Sequence, residues 1–274
     1  MGIFLSQRWR KPPPGAPLNR ADPLAYKLEG AFLFNEPGGI KSYSATGPKY
    51  TATHGSLTNY QRRPNGRNDP ALDVSGSSST TDLATGWANG GTAAETTFTI
   101  AVRAKQRANS AYAAIFSDTG GSNALYWDGM RFNYYDGSDN KSTAALALNA
   151  WYDYAFTVNA GAGTHYLNGK ADGTASGVTG FGTLIQIGMN SINERMDGLI
   201  DYLYFWNRAL SAQDVLRQRA DPYWVSRQPA SRRWFYSGRN VENRGACRRA
   251  NCRSKRPRED HRRRERILDA DETH

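Results

Sequence analysis

From Leu24 onward the chain reads as short apolar runs broken by glycine, asparagine and aspartate. The clearest run is TFTIAVRA (97–104), in which Phe98, Ile100 and Val102 alternate with Thr99, Ala101 and Arg103. A period of two places successive side chains on opposite faces of an extended chain, so this run predicts a half-buried antiparallel strand. WYDYAFTVNA (151–160) repeats the pattern with Tyr152, Tyr154, Phe156 and Val158. Further strands are predicted at 27–36, 70–76, 113–118, 123–128, 130–137, 164–170, 183–188 and 198–206. Asp128-Gly129 and Asn168-Gly169 are hairpin dipeptides between them. Strands at this spacing predict an all-β, antiparallel sandwich or barrel, not a parallel α/β sheet. One helix is predicted in NRALSAQDVLRQRADP: Ser211 caps it, Asp214 sits at N3, Pro222 stops it, and Val215 and Leu216 supply a small apolar contact.

Composition adjusts this picture at the ends of the chain. Residues 1–22 form a basic, proline-containing arm whose Pro12-Pro13-Pro14 run favours extended geometry, lying on a surface or projecting from it. Residues 23–225 carry the strand pattern, 226–238 are an aromatic-basic segment, and 239–274 are a basic tail. The formal net charge is +10, but residues 239–274 hold 12 Lys/Arg against 7 Asp/Glu, half of the excess. The tail has no aromatic residue for base stacking, and Glu259, Asp260 and Glu265 dilute its charge. It is expected to be disordered, with nucleic acid or an acidic protein surface as its contact. Cys247 and Cys252 both lie there, at a spacing that is not a zinc motif, so the sandwich owes nothing to disulfides. No secretory signal is read at the start, and no run approaches the ~20 apolar residues that cross a bilayer, so no membrane insertion is expected.

Three kinds of chemistry can be weighed on these strands. Tyr126, Arg131, Asn133 and Tyr135 share one face and Leu125, Trp127, Phe132 and Tyr134 the other, either of which could be the core, and aromatic rings beside amides on the first suit sugar stacking. Asp118, Asn123, Asp136 and Asp139 lie in loops that offer oxygen ligands, so calcium is the one cofactor with candidates. Turn-forming Asp-Gly chemistry explains the same residues, and calcium needs six to eight oxygens. Catalytic residues are not found. Glu194, Asp197 and Asp201 are the nearest carboxylate cluster, but Asp197 and Asp201 are four residues apart on one strand, more than about 13 Å. Asp201 is expected on the face of Leu203 and Phe205, as a structural carboxylate bonded to backbone.

Taken together, LEGAFLFNEPGG, TFTIAVRA, AWYDYAFTVNAGAGTHYLNGKADG and MDGLIDYLYFWNRALSAQDVLRQRADPY resemble the laminin G-like, concanavalin A-like jelly-roll family over residues 24–225. The resemblance implies a two-sheet jelly roll with one short helix near its end and extended N- and C-terminal arms. Asp153 stands where the family commonly has histidine, and His165 where an aliphatic residue is usual, which puts a polar ring near the core. The lead RWRKPPPGAPLNRADPLAYKLEG and the closing ADPYWVSRQPASRRWFYS are similar to members encoded among tailed-bacteriophage structural genes. That implies a non-enzymatic virion protein, a head- or tail-associated decoration module assembled in the host cytoplasm as a homo-oligomer. Its partners would be capsid or tail subunits, docked through Arg8, Trp9, Arg10, Arg232, Arg233, Trp234, Phe235 and Tyr236. The alternative is a lectin-like adhesion module for host-surface glycans. A glycoside hydrolase lacks its carboxylate pair.

Overall fold

The structure is a computed structural model that describes residues 10–37, 41–47, 51–54, 61–64, 70–74, 81–83, 96–118, 122–181, 185–189 and 194–227. The chain divides into two units, Met1–Arg232 and Arg233–His274, and every described residue belongs to the first. The strands are β1 (Leu28–Phe32), β2 (Lys41–Tyr43), β3 (Thr51–His54), β4 (Gln61–Pro64), β5 (Pro70–Asp73), β6 (Thr81–Leu83), β7 (Phe98–Gln106) and β8 (Ala113–Asp118). They continue as β9 (Ala124–Asp128), β10 (Arg131–Tyr135), β11 (Asp139–Lys141), β12 (Tyr152–Asn159), β13 (Ala162–Leu167), β14 (Lys170–Ala175), β15 (Ile185–Ile187) and β16 (Gly198–Trp206). A single α-helix among the described residues, α1 (Ala212–Ala220), follows them, with one 3-10 turn before β1 (Pro23–Ala25) and a last turn after α1 (Trp224–Ser226).

Two antiparallel sheets result. Sheet A runs β14-β13-β12-β7-β16-β5-β4, with β1 also paired to β16, and sheet B runs β11-β10-β9-β8-β15-β6-β3-β2. Of the sandwich or barrel that the strand pattern allows, this is the two-sheet sandwich that the family resemblance implies. The predicted faces meet between the sheets. Phe98, Ile100 and Val102 of β7 and Tyr154, Phe156 and Val158 of β12 pack with Leu125, Trp127, Phe132 and Tyr134 from sheet B. Rings bridge the layers directly: Phe132 stacks on Tyr154 at 4.2 Å and Tyr134 on Phe156 at 4.8 Å. Full burial of each such side chain contributes about 1.5–3 kcal/mol. Gly30 lets β1 close on β16, because a Cβ there would fall 2.0 Å from the Phe205 ring.

His165 of β13 faces this interior. Its ring lies 4.5 Å from that of Phe156, and Nδ1 shares a 2.6 Å hydrogen bond with the Tyr154 hydroxyl. Nε2 has no partner. Burial pushes its pKa down to about 4, so the imidazole is neutral in the fold.

The outer face of sheet A departs from the expected half-buried strand, because β7 and β16 are buried on both sides. A second apolar layer covers them: Tyr202, Tyr204 and Trp206 on β16 pack with Leu24, Leu210, Val215, Tyr223, Trp224 and Val225. The helix that contributes to this roof begins as the sequence predicts, with a reciprocal capping box between Ser211 and Asp214. Its inward residues are Val215 and Gln218, whereas Leu216 is exposed, in place of the expected Val215-Leu216 contact. Gln218 takes the inward place because its Oε1 accepts from the Trp224 indole.

The arm, from Arg10, lies along the same face. Asn35 Nδ2 donates to the Pro12 carbonyl at 2.6 Å, and the Asn19 amide donates to the Val225 carbonyl at 2.6 Å. Lys11 is the deepest anchor: its side chain is 2% exposed and its ammonium lies 2.8 Å from Asp201 Oδ1. Asp201 can receive it because the register between β16 and β7 slips between Ile200 and Tyr202. This bulge inserts one residue, so Asp201 does not share the face of Leu203 and Phe205 as its parity implies, but turns outward. There its Oδ2 accepts from Arg103 at 2.7 Å and from the Tyr223 hydroxyl at 3.0 Å. Arg103 loses hydration on burial, but the neighbouring Asp201 charge and hydrogen bond more than offset that and raise its pKa.

Candidate functional site

The outer face of sheet B is built differently. On β8 to β11 the residues pointing away from the sandwich include Ala114, Ala124, Tyr126 and Tyr135, with Tyr112 beside them. Tyr112 and Tyr135 meet the Tyr126 ring edge-on, at 5.4 and 6.4 Å between centroids. Tyr112 holds a φ of +53°, a conformation a bulky side chain rarely adopts. Tyr126 itself is only 2% exposed, and its hydroxyl donates to Glu194 Oε2 at 2.6 Å from the segment before β16.

A row of polar groups runs beside the rings. Register pairs Tyr126 with Asn133 on β10 and Asn133 with Lys141 on β11. Asn133 Nδ2 donates to Asp139 Oδ1 at 2.8 Å, and its Oδ1 accepts from the Asn140 amide at 2.9 Å. Lys141 spans Asp128 Oδ2 at 2.7 Å and Asp139 Oδ2 at 3.0 Å. Those carboxylates, Asp128 first, raise the pKa of Lys141. Slight burial would push Asp139 up, but hydrogen bonds from Asn133 and Lys141 outweigh it and hold the carboxyl below its usual range. That is opposite to the shift a general acid needs.

The structure therefore places Tyr126, Arg131, Asn133 and Tyr135 on the side of sheet B away from the core, in unequal positions. Tyr135 is half-buried and Arg131 exposed, whereas Tyr126 and Asn133 are buried. Neither buried residue offers an open surface for stacking, and the accessible groups beside them are Tyr112, Asp139 and Lys141, with the Asp128 side chain only 10% exposed beneath Lys141. Tyr112 and Lys141 lie outside the sequence candidates. Tyr112 carries no alternation signal, and the polar tripeptide of β11 does not read as a strand.

Of the calcium candidates, Asp139 belongs to the row just described, bound by Asn133 and Lys141, and the other three sit elsewhere in the same sheet. Asp118 accepts from the Ser122 and Asn123 amides at 2.8 and 3.1 Å, and Asp136 accepts from Thr179 N at 2.9 Å and Asn140 Nδ2 at 3.0 Å. Asn123 Oδ1 accepts from the Thr179 hydroxyl at 3.3 Å. These oxygens staple loops, and a calcium ion would have to displace N–H and O–H donors from them. Among the described residues no three His, Cys, Asp or Glu side chains converge as a metal site.

Glu194, Asp197 and Asp201, close in sequence, diverge in space. Glu194 serves Tyr126 on sheet B, Asp197 lies 3.5 Å from Arg107, and Asp201 lies under the roof of sheet A. The Asp201 carboxylate is held by Lys11, Arg103 and the Tyr223 hydroxyl, side-chain partners that the expected backbone-bonded carboxylate did not include. Arg10, of the docking candidates, is described and exposed; Arg8, Trp9 and Arg232, Arg233, Trp234, Phe235 and Tyr236 lie outside the described residues, as does the 239–274 tail. No helix among the described residues is long and apolar enough to cross a membrane.

The Laminin_G_3 family model, described as the Concanavalin A-like lectin/glucanases superfamily, matches residues 75–216, just over half of the chain. No curated protein sequence matches. Among solved structures, the chain is similar to the Trypanosoma rangeli sialidase in complex with 2,3-difluorosialic acid, at 15% identity and a TM-score of 0.55, over 73% of this chain and 34% of that one. It thus spans about a third of the sialidase. Domain 4 of AbnA, an extracellular GH43 arabinanase from Geobacillus stearothermophilus in complex with arabinotriose, is similar at 18% identity and a TM-score of 0.53, over 70% and 97%. The binding domain of Botulinum neurotoxin DC in complex with SialylT is similar at 16% identity and a TM-score of 0.52, over 70% and 51%. Identities this low speak to the fold alone.

Proposed function

This chain belongs to the concanavalin A-like lectin/glucanases superfamily, and from that premise we propose that it is a non-catalytic carbohydrate-binding module. The observation that supports this reading is the face of Tyr112, Tyr126 and Tyr135 beside Asp128, Asn133, Asp139 and Lys141. A saccharide stacks an apolar sugar face on the half-buried Tyr112 and Tyr135 rings, which the buried Tyr126 holds apart. Its hydroxyls bond Asp139 and Lys141, which Asn133 and the largely covered Asp128 hold in place before the sugar arrives, so little side-chain freedom is lost on binding. The sugar-binding neighbours named above are consistent with this reading. A catalytic role has less support, because hydrogen bonds from Asn133 and Lys141 hold the Asp139 carboxyl below its usual range, where glycoside hydrolysis needs a carboxyl that stays protonated.

A glycan array followed by calorimetry tests the proposal. Selective binding that weakens about five- to thirtyfold in Tyr135→Ala is expected, since stacking of this kind contributes on the order of 1–2 kcal/mol. A panel with no ligand, or a ligand held equally by Tyr135→Ala, would reject this face as the site. Release of reducing sugar by the purified protein would reject the non-catalytic part. A place on a phage particle, as a decoration module beside capsid or tail subunits, rests on the sequence resemblance of the lead and closing segments. The lead is built into sheet A through Lys11, so it belongs to the folded unit in whatever assembly carries it. Detection of the chain in purified particles is the test of that second reading.

A further inference from the structure

Under the roof of sheet A the Lys11 ammonium sits in a cage of oxygens. It lies within hydrogen-bond reach of the backbone carbonyls of Leu33, Pro70 and Asp201, the last at 2.6 Å, and of Asp201 Oδ1 at 2.8 Å. Leu33 follows β1, Pro70 opens β5 and Asp201 is the bulge of β16, so the cage stands where β16 is flanked by its two partners on one edge. Two features separate it from an ordinary lysine ion pair. An ammonium has three N–H donors, yet at least four oxygens converge on this nitrogen, so one of them answers to its charge alone. A ring of carbonyl dipoles closed by a carboxylate is the kind of shell that replaces the hydration of a bare spherical cation.

The second feature is the charge count. Asp201 Oδ2 is engaged by Arg103 at 2.7 Å and by the Tyr223 hydroxyl, and Asp153 stands 3.7 Å from Arg103 while accepting from the Tyr202 hydroxyl at 2.9 Å. Lys11, Arg103 and the more exposed Arg219, 3.8 Å from Asp153, face the carboxylates of Asp201 and Asp153. A singly charged ion in place of the ammonium leaves that set of charges unchanged, whereas a divalent ion would add a further positive charge under the roof, which is costly.

We propose that this cage is a monovalent-cation site of potassium size, which the chain fills with its own Lys11 ammonium. Residues 10–22 are then a strap held by a tethered cation, and Lys11 and a free ion exclude each other. When the strap lifts, the cage takes potassium from solution, so potassium binding and release of the arm are linked.

Lys11→Ala in the full chain vacates the cage. The measurements are thermal unfolding in potassium chloride against choline chloride at equal ionic strength, and calorimetric titration with potassium. In Lys11→Ala, potassium should raise the melting temperature by a few degrees and saturate at one ion per chain; ten times the dissociation constant is on the order of what such a shift requires. Wild type should not respond, nor should Lys11→Met, whose side chain fills the cage, and adding Asp201→Asn to Lys11→Ala should abolish the response. A Lys11→Ala chain that folds only in potassium supports the proposal in its strongest form. One that melts equally in both salts, or folds in neither, overturns it. Stronger stabilisation by calcium chloride at matched ionic strength overturns the monovalent assignment.

Discussion

The two outer faces of this sandwich put polar groups to opposite uses. On sheet A, Lys11, Arg103, Asp153, Asp201, Tyr202 and Tyr223 close on one another beneath the strap, α1 and the last turn, and the Lys11 and Asp201 side chains are 2% and 0% exposed. On sheet B, Asp128, Asp139 and Lys141 also form ion pairs, but at the open edge of the face, with the Lys141 side chain 35% exposed. A buried charge stripped of its partner keeps its desolvation penalty, whereas a surface pair is worth about 0–1 kcal/mol because water replaces the partner. The same chemistry is therefore sealed from water on one face and partly open to it on the other, where the proposed binding would use it. Substitutions on sheet A should be read in stability and those on sheet B in binding.

The largest effect expected from this contrast is at Asp201. Asp201→Ala leaves two buried cations without their carboxylate, and a loss of about 3–5 kcal/mol is expected in urea unfolding. Asp139→Ala on the other face should lose no more than about 1 kcal/mol. Equal losses would erase the distinction between the faces.

Next in size is an effect that belongs to neither face. Unfolded His165 protonates near pH 6.5, but in the fold burial delays this to about 4. Its folded pKa is depressed, so its contribution is complete above pH 6.5 and is lost as pH falls toward 4, by about 3 kcal/mol in all. His165→Leu should flatten that slope in stability measured at successive pH values. An unchanged slope would assign the acid sensitivity to another group.

How much of this was legible follows from which physics wrote it. Alternation at 97–104 and 151–160 is a direct imprint of a strand facing a core, and Phe98, Ile100, Val102, Tyr154, Phe156 and Val158 all lie inside. GLIDYLYFW carries no clear alternation because both its faces are covered. Its bulge is an inserted residue that hydropathy does not mark, so Asp201 reads with the wrong parity. The strands β2, β3, β4, β6, β11 and β14 lie at or toward sheet edges and are short or polar, specified by their neighbours more than by their own residues. Lys11 had no signal at all: a lysine in a basic, proline-rich arm reads as solvated, and only the carbonyls of strands far along the chain make it buried. On sheet B the face of Tyr126 and Asn133 was correctly paired by register, but its covering was not. The cap on Tyr126 comes from Glu194, which no local pattern connects to it.

The roof itself can be loosened by a smaller step. Ser211 accepts from the Asp214 amide at 3.1 Å, and Ser211→Ala removes that cap. Loss of a cap costs on the order of 1 kcal/mol. Because α1 contributes Val215 and Gln218 to the layer over Tyr204 and Trp206, hydrogen exchange should also quicken in β16 and in the last turn. Exchange that quickens only within the helix would show that the strap and the last turn hold sheet A covered without it.

The smallest expected effect on stability is at Lys141, and there the comparison becomes most exacting. Its ammonium holds Asp128 and Asp139 together, so Lys141→Gln keeps a hydrogen-bonding side chain but removes the charge between two carboxylates. The loss of a half-exposed pair and the new repulsion should together shift the urea midpoint by no more than about 1 kcal/mol in stability. Binding should respond more strongly than stability, because released carboxylates no longer stand at fixed positions for sugar hydroxyls. Without the ammonium, Asp139 should also titrate higher, which carbon-detected NMR of its carboxyl would follow. If Lys141→Gln costs several kcal/mol and leaves a glycan bound as before, the row on sheet B is a second structural network like that of sheet A, and the binding site must be sought elsewhere.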